Sequence, residues 1–156
     1  EKGWDDFVKM SEMLNEDEVI VMVGVSEEQQ KRLPKDIVAI RRTENVRQLA
    51  ELYSAATAFV NPTWQDNYPT VNLEAIACGT PVVTYRTGGS IEVITEDTGR
   101  IVEQGDVAGL LKAVREIAEK GKVQYTAKCR AFALENFCKE DRYADYLKLY
   151  ESLTAR

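Results

Sequence analysis

The sequence predicts an α/β domain built on a doubly wound, Rossmann-like parallel sheet. Short apolar runs alternate along the chain with segments whose apolar residues recur at helical spacing. The connections between them are short, and glycine ends several segments, as at Gly24 and Gly79. Strands that alternate with helices in this way form parallel sheets with right-handed crossovers, which bind ligands at the carboxyl ends of the strands.

The first half of the chain is predicted to alternate between helix and strand: helix Trp4 to Leu14, strand Glu18 to Val23, helix Ser26 to Leu33, strand Asp36 to Arg41, helix Asn45 to Ala56 and strand Thr57 to Val60. The continuous apolar run that ends at Val23 is typical of a strand buried on both faces. Ser26 with Gln29, and Asn45 with Gln48, have the spacing of a capping box. The buried stripe of the Asn45 helix is predicted to comprise Val46, Leu49, Leu52, Tyr53 and Ala56.

The second half continues the same alternation and then becomes helical: helix Thr70 to Cys78, strand Pro81 to Tyr85, helix Ser90 to Ile94, strand Thr98 to Val102, a helix capped by Asp106 that continues through Ile117, and helices Val123 to Leu134 and Lys139 to Leu153. The Thr98 strand is expected at the edge of the sheet. The last helix has apolar residues at helical spacing, which pack either on a partner domain or on the sheet of this chain.

Composition excludes several classes of protein. The 156 residues carry a net charge of −6, with no basic stripe of the kind that binds nucleic acid. No apolar run approaches the roughly 20 residues that span a bilayer. The absence of histidine excludes a Ser–His–Asp or Cys–His mechanism within this chain. The three cysteines lack metal-ligand spacing and suit a reducing compartment, and a chain that starts Glu1-Lys2-Gly3 is expected to be a fragment.

The stretch from Asn61 to Ser90 contains the candidate site. Pro69 lies at a helix start, where its missing N–H costs nothing, and Gly79 ends that helix. The free amides of a helix start attract an anion such as a phosphate. Asp66 and Glu74, eight positions apart, flank this start. Carboxylates repel phosphate but accept hydrogen bonds from hydroxyl groups, so the combination indicates a nucleotide-sugar.

The same residues resemble the signature of the group 1 (family 4) retaining glycosyltransferases of the GT-B fold. That signature is Glu-x7-Glu followed by a Glu-Ala-x-Ala-Cys-Gly-x-Pro-Val-Val run, and here Asp66 and Glu74 are followed by the matching segment Ala75 to Val83. Aspartate in place of the first glutamate is the departure, one methylene shorter. The resemblance implies that residues 1–156 are the carboxyl-terminal, nucleotide-sugar-binding half of a GT-B enzyme. The amino-terminal acceptor domain, and a first strand that is central in the family, are expected outside this sequence.

The resemblance also implies roles for individual residues. Glu74 is expected to accept hydrogen bonds from the ribose, and Asp66 from the transferred sugar. Lys2 is expected to contact the diphosphate, and Arg42 to lie where the family binds the nucleotide base, although both are also ordinary surface residues. The diphosphate or sugar is expected to lie along one segment, with backbone amides as the donors: Asn67, Tyr68, Pro69, Thr70 and Val71.

The implied function is transfer of a hexose, with retention, from a UDP- or GDP-sugar to a glycan or lipid-linked acceptor in polysaccharide biosynthesis. No metal is expected, because the sequence has no Asp-x-Asp triplet and GT-B relatives are metal-independent. The implied location is cytoplasmic, with peripheral contact at the inner face of the membrane in the full-length enzyme. A GT-B nucleotide-sugar epimerase, which would normally use histidine, and a non-catalytic binding domain are the alternatives.

Overall fold

The computed structural model describes residues 3–154, which form five strands and seven α-helices. The strands are β1 (Ile20–Val23), β2 (Ile37–Ile40), β3 (Phe59–Asn61), β4 (Val82–Tyr85) and β5 (Gly99–Val102). The helices are α1 (Trp4–Ser11), α2 (Glu27–Arg32), α3 (Val46–Ala55), α4 (Thr70–Ala77), α5 (Val107–Lys120), α6 (Val123–Phe137) and α7 (Lys139–Thr154). A 3-10 turn, Gly88–Ile91, follows β4.

All strand pairs are parallel, which confirms the predicted fold class. β1 pairs with β2, and β3, β4 and β5 pair in that order, with β5 at the edge as expected. Within residues 3–154, no ladder joins the two sheets. The further central strand implied by the resemblance therefore stays a prediction.

The core is centred on β4, all four residues of which are buried. α5 packs against β4, β5 and α1, whereas α4 packs against β3, β4, α3 and α6. Leu110 and Ile117 of α5 and Ile76 of α4 are fully buried in this core. Helices thus cover the larger sheet from two sides, as a doubly wound fold requires.

Several local signals in the sequence specify helix ends correctly. Ser26 and Gln29 form both hydrogen bonds of a capping box at α2. Asp106 accepts from the Gly109 amide at the start of α5. Gly79 ends α4 with a φ of 77°, a conformation that glycine adopts without strain.

The capping box predicted at α3 forms only in part. The Asn45 side chain accepts from the amide of Gln48, as expected. The Gln48 side chain, however, accepts from the amide of Glu44 rather than from that of Asn45. Both contacts still satisfy amides at the start of the helix.

Two burial predictions are wrong. β1 was expected to be buried on both faces, but Val21 and Val23 are 46% and 41% exposed, because the two-stranded sheet is covered on one face only. The helical spacing predicts Val46 in the buried stripe of α3, yet it is 83% exposed. α3 contacts the domain through its carboxyl-terminal part, where the Tyr53 carbonyl accepts from the Thr80 hydroxyl, so its first turn lies in solvent.

Some element boundaries and the placement of the last helix also differ from prediction. α1 ends at Ser11 rather than Leu14, and the helix expected from Ser90 to Ile94 is the turn Gly88–Ile91. None of the residues of α7 is buried, so this helix does not lie on the sheet of this chain. In the described part of the chain, no helix is both long and apolar enough to cross a membrane.

Candidate nucleotide-sugar site

The start of α4 presents uncapped backbone amides. Pro69 occupies the N-cap position and makes no side-chain cap. Asn72 is the first residue whose amide turns back, to the Pro69 carbonyl at 3.0 Å. Thr70 and Val71 are exposed, and the amides at the first two positions of a helix have no intrahelical acceptor. The positive end of the helix dipole therefore faces solvent between the loops that follow β3 and β4.

The half-buried Asp66 lies in the loop after β3, against the glycine turn after β4. Its Oδ1 accepts from the Tyr68 amide at 3.2 Å, and its carbonyl accepts from the Gly89 amide at 3.2 Å. A Cβ at Gly88 would lie 2.2 Å from the Asp66 carbonyl oxygen, and one at Gly89 would lie 1.8 Å from that of Asn67. Only glycine permits this backbone contact, which fixes the position of the loop between β3 and α4 that contains Asp66, here called the acidic loop.

Glu74 lies on the other side of α4, towards α3. Its side chain is exposed, and Oε2 accepts from the Tyr53 hydroxyl at 3.2 Å. Burial, followed by the charge of Glu74, raises the pKa of Tyr53, so the phenol stays protonated and donates. Tyr53 was predicted as a core residue. Its ring does pack edge-on against Phe59, at 5.3 Å between centroids, while its hydroxyl orients the carboxylate.

Apart from Glu74, the predicted site residues fall into three groups in the structure. The first group lies around the start of α4 and comprises Asp66, Asn67, Tyr68, Pro69, Thr70 and Val71. Within it, the Tyr68 amide is already bonded to Asp66. Arg42 is exposed beyond β2, in the two-stranded sheet, which no ladder joins to the sheet of β3, β4 and β5 within residues 3–154. Lys2 lies outside the described residues.

A buried polar network beneath the site was missed at the sequence level. The Asn61 side chain donates to the Asn72 Oδ1 at 2.9 Å, and the Asn72 side-chain Nδ2 donates to the Ser90 carbonyl at 3.2 Å. The Thr84 hydroxyl donates to the Asn61 carbonyl and lies 2.7 Å from the Ser90 hydroxyl. Asn72, a polar residue within the apolar segment TVNLEAIA, was the signal that could have revealed it.

A concavity of the described structure lies away from the candidate site. It is an open groove of about 520 Å³ near the amino end of β5, lined by residues that include Glu96, Arg100 and Lys120. The candidate site is instead an open face at the carboxyl ends of β3 and β4. Among residues 3–154, no cluster of three acidic, cysteine or histidine side chains is arranged to hold a metal ion.

Comparison with known proteins assigns the chain to a family. Residues 1–120 match the model of the glycosyl transferases group 1 family, so the chain belongs to this family. D-inositol 3-phosphate glycosyltransferase 2 of Catenulispora acidiphila is 36% identical over 95 residues, which cover 56% of this chain and 22% of that protein. D-inositol 3-phosphate glycosyltransferase of Xylanimonas cellulosilytica is 30% identical over 129 residues, which cover 78% of this chain and 30% of that protein.

Solved structures share the fold. Sucrose-phosphate synthase from Thermosynechococcus elongatus superposes with a TM-score of 0.84 at 26% identity, over 99% of this chain and 43% of that one. Anabaena Alr3699/HepE, solved in complex with UDP, gives a TM-score of 0.76 at 18% identity, over 99% of this chain and 46% of that one. This chain thus spans less than a third of those curated relatives and less than half of the solved chains.

Proposed function

We propose that the chain is the donor-binding half of a retaining glycosyltransferase that moves a hexose from a UDP- or GDP-sugar to a glycan or lipid-linked acceptor in polysaccharide biosynthesis. The observation that carries the proposal is the uncapped start of α4 with Asp66 on one side and Glu74 on the other. Membership of the glycosyl transferases group 1 family supports the reaction class. The complexes of Alr3699/HepE with UDP and with UDP-glucose support a nucleotide-sugar donor.

Each group in the site has a role suited to its chemistry. The amides of Thr70 and Val71 hold the diphosphate and stabilise the negative charge that grows on it as the sugar leaves. Glu74, oriented by Tyr53, accepts hydrogen bonds from the ribose hydroxyls. Asp66 accepts from hydroxyls of the sugar and stabilises positive charge on the anomeric carbon. Asn67, Tyr68 and Pro69 form the loop wall beside them.

The remaining donor contacts extend beyond the start of α4. Lys2 supplies an ammonium to the diphosphate, and Arg42 lies on the side of the nucleotide base. In this scheme, cationic and amide donors take the place of a divalent metal. Removing one preorganised donor from comparable oxyanion sites costs about 3 kcal/mol in the transition state.

The acceptor groups belong to an amino-terminal GT-B domain, so the 156-residue chain binds donor without transferring sugar. The exposed apolar side chains of α7, including Tyr146, Leu147 and Tyr150, suit contact with that domain. The full enzyme works in the cytoplasm, with peripheral contact at the inner face of the membrane.

The test is calorimetric titration of the chain with UDP, GDP, UDP-glucose and GDP-mannose. At least one of these nucleotides is expected to bind, and Glu74→Gln is expected to weaken binding about ten- to a hundredfold, because hydrogen bonds to a charged acceptor contribute about 1.5–3 kcal/mol. Glutamine still accepts from Tyr53, so the change tests the charge rather than the packing. Adding EDTA is expected to leave the affinity unchanged.

Glu119→Gln, an exposed substitution on α5, is the matched control and should bind like the unaltered chain. A folded chain that binds none of the four nucleotides would identify a non-catalytic domain instead. If Glu74→Gln binds the nucleotides as tightly as the unaltered chain, Glu74 does not contact the donor. Loss of binding in EDTA would overturn the metal-independent scheme.

A further inference from the structure

Trp64 joins the acidic loop to α1. Its indole Nε1 donates to Asp6 Oδ2 at 2.7 Å, across 58 positions of sequence. Trp64 precedes Asp66 by two residues, so this hydrogen bond anchors the part of the loop that presents the carboxylate. Two residues before Trp64, Pro62 lies against the start of α1, where a Cβ at Gly3 would be 2.3 Å from the Pro62 carbonyl oxygen.

Two other elements hold the same tryptophan. Its ring packs edge-on against Tyr85 of β4, with 6.3 Å between centroids. The Gln104 side chain, beyond β5, donates to the Trp64 carbonyl at 3.0 Å. Contacts from α1, β4 and the segment after β5 therefore converge on one residue of a loop that has no regular secondary structure of its own.

Asp6, which accepts from Trp64, is an unusual residue for a helix face that packs on the core, because its side chain is charged. Only 4% of Asp6 is exposed, and burying a carboxylate is costly unless hydrogen bonds compensate. The hydroxyl of Tyr85 is fully buried nearby. Burial and then the charge of Asp6 raise the pKa of Tyr85, so the two groups are electrostatically coupled. An apolar residue at position 6 would pack at lower cost but could not accept from Trp64.

From this geometry we infer that Asp6 and Trp64 are a positioning pair for the donor. Their hydrogen bond holds the loop in the conformation in which Asp66 and the start of α4 face one ligand. The inference rests on the proposed function. When only a fraction of molecules has a competent site, the apparent dissociation constant rises by the inverse of that fraction. Losing the anchor is therefore expected to weaken donor binding without direct contact between the pair and the donor.

The experiment is a double-mutant cycle on the chain, titrated with UDP-glucose and GDP-mannose. Asp6→Ala and Trp64→Phe are each expected to raise the dissociation constant about tenfold. The dissociation constant of the double variant should also rise about tenfold rather than a hundredfold, because the two residues act through one hydrogen bond. Asp6→Asn keeps an acceptor for the indole and should restore most of the affinity. Titrations are run well below the melting temperature of each variant, so a merely stabilising role would leave the dissociation constants unchanged.

One control variant and the unaltered chain separate the possible results. Asp5→Ala removes the same charge from the exposed side of the same turn, so this variant should bind normally. If Asp6→Ala does not fold, the dissociation constant of Trp64→Phe is compared with that of the double variant Asp6→Asn/Trp64→Phe. An unaltered chain that binds neither nucleotide-sugar refutes the proposed function, and the inference with it. Normal binding by Asp6→Ala and Trp64→Phe, or additive losses, would refute the inference alone.

Discussion

Single buried polar residues determine the geometry of the candidate site. Asn72 lies inside α4 with no exposed surface, and its one side chain joins β3 through Asn61 to the glycine turn through Ser90. Because the side-chain amide of Asn72 has a hydrogen-bond partner on each side, it adds rigidity to the fold rather than instability. The loop of Asp66 therefore rests on a scaffold of hydrogen bonds, not on apolar packing alone.

Asn72→Ala is expected to lower the free energy of unfolding by about 2–4 kcal/mol. The substitution opens a cavity and leaves the buried Asn61 amide without its acceptor. Urea unfolding followed by circular dichroism measures the change. Asn15→Ala, at an exposed position, should change stability by less than about 0.5 kcal/mol. Similar losses in the two variants would show that the network contributes no specific stability.

At the scale of elements, α5 connects parts of the domain that are distant in sequence. It packs on β4, β5 and α1, and its Arg115 reaches the turn before β1. There the guanidinium makes two 2.7 Å hydrogen bonds to the two carboxylate oxygens of Glu18, a bidentate pair. The smaller sheet, which lacks a ladder to the larger one among residues 3–154, is thus attached partly through this ion pair.

The Glu18–Arg115 pair predicts a pH dependence of stability. The hydrogen bonds from Arg115 and from the Asn15 amide lower the pKa of Glu18 to about 2 from its ordinary value of 4.5. Because the folded pKa is below the unfolded value, the pair stabilises the fold above pH 4.5, and that contribution is lost as the pH falls towards 2.

Glu18→Gln is expected to cost about 1 kcal/mol at pH 7, since the pair is bidentate but partly solvated. Urea titrations of both proteins between pH 7 and pH 2 should show the difference closing as the pH falls below about 4.5. Glu51→Gln, in the exposed pair with Arg47, should change stability by less than about 0.5 kcal/mol at any pH. A difference between the Glu18 proteins that stays constant with pH would contradict the assignment.

At the scale of the whole molecule, buried apolar surface is unevenly distributed. The cluster around β4, α4, α5 and α6 contains the fully buried apolar side chains, whereas α7 has no buried residue. Tyr146, Leu147 and Tyr150 are each more than 60% exposed. Stability should therefore depend on the central cluster and hardly at all on the last helix.

Leu110→Ala and Leu147→Ala test this distribution with the same chemical change. The first is expected to cost about 2–5 kcal/mol, because Leu110 is fully buried and a cavity remains. The second should fall within about 0.5 kcal/mol of the unaltered chain. Thermal and urea unfolding of the chain measure both. A large loss in Leu147→Ala would mean that α7 packs on this domain in solution.

Local patterns in the sequence determined the order and type of nearly all elements. The caps at Ser26 and Asp106 and the stop at Gly79 depend on contacts within a few residues, which the sequence specifies directly. The same holds for the helix start at Pro69 between Asp66 and Glu74, and for the signature that led to the correct family. A parallel α/β fold follows from the alternation of these elements.

Only the tertiary structure decided what each side chain contacts. Tyr53 with Glu74 and Asp6 with Trp64 join residues 21 and 58 positions apart, and no local pattern specifies such pairs. For the same reason the sequence could not show that Val46 lies in solvent or that Asn72 lies in the core. Helical spacing identifies a face of a helix, but whether that face is covered depends on the elements that pack against it.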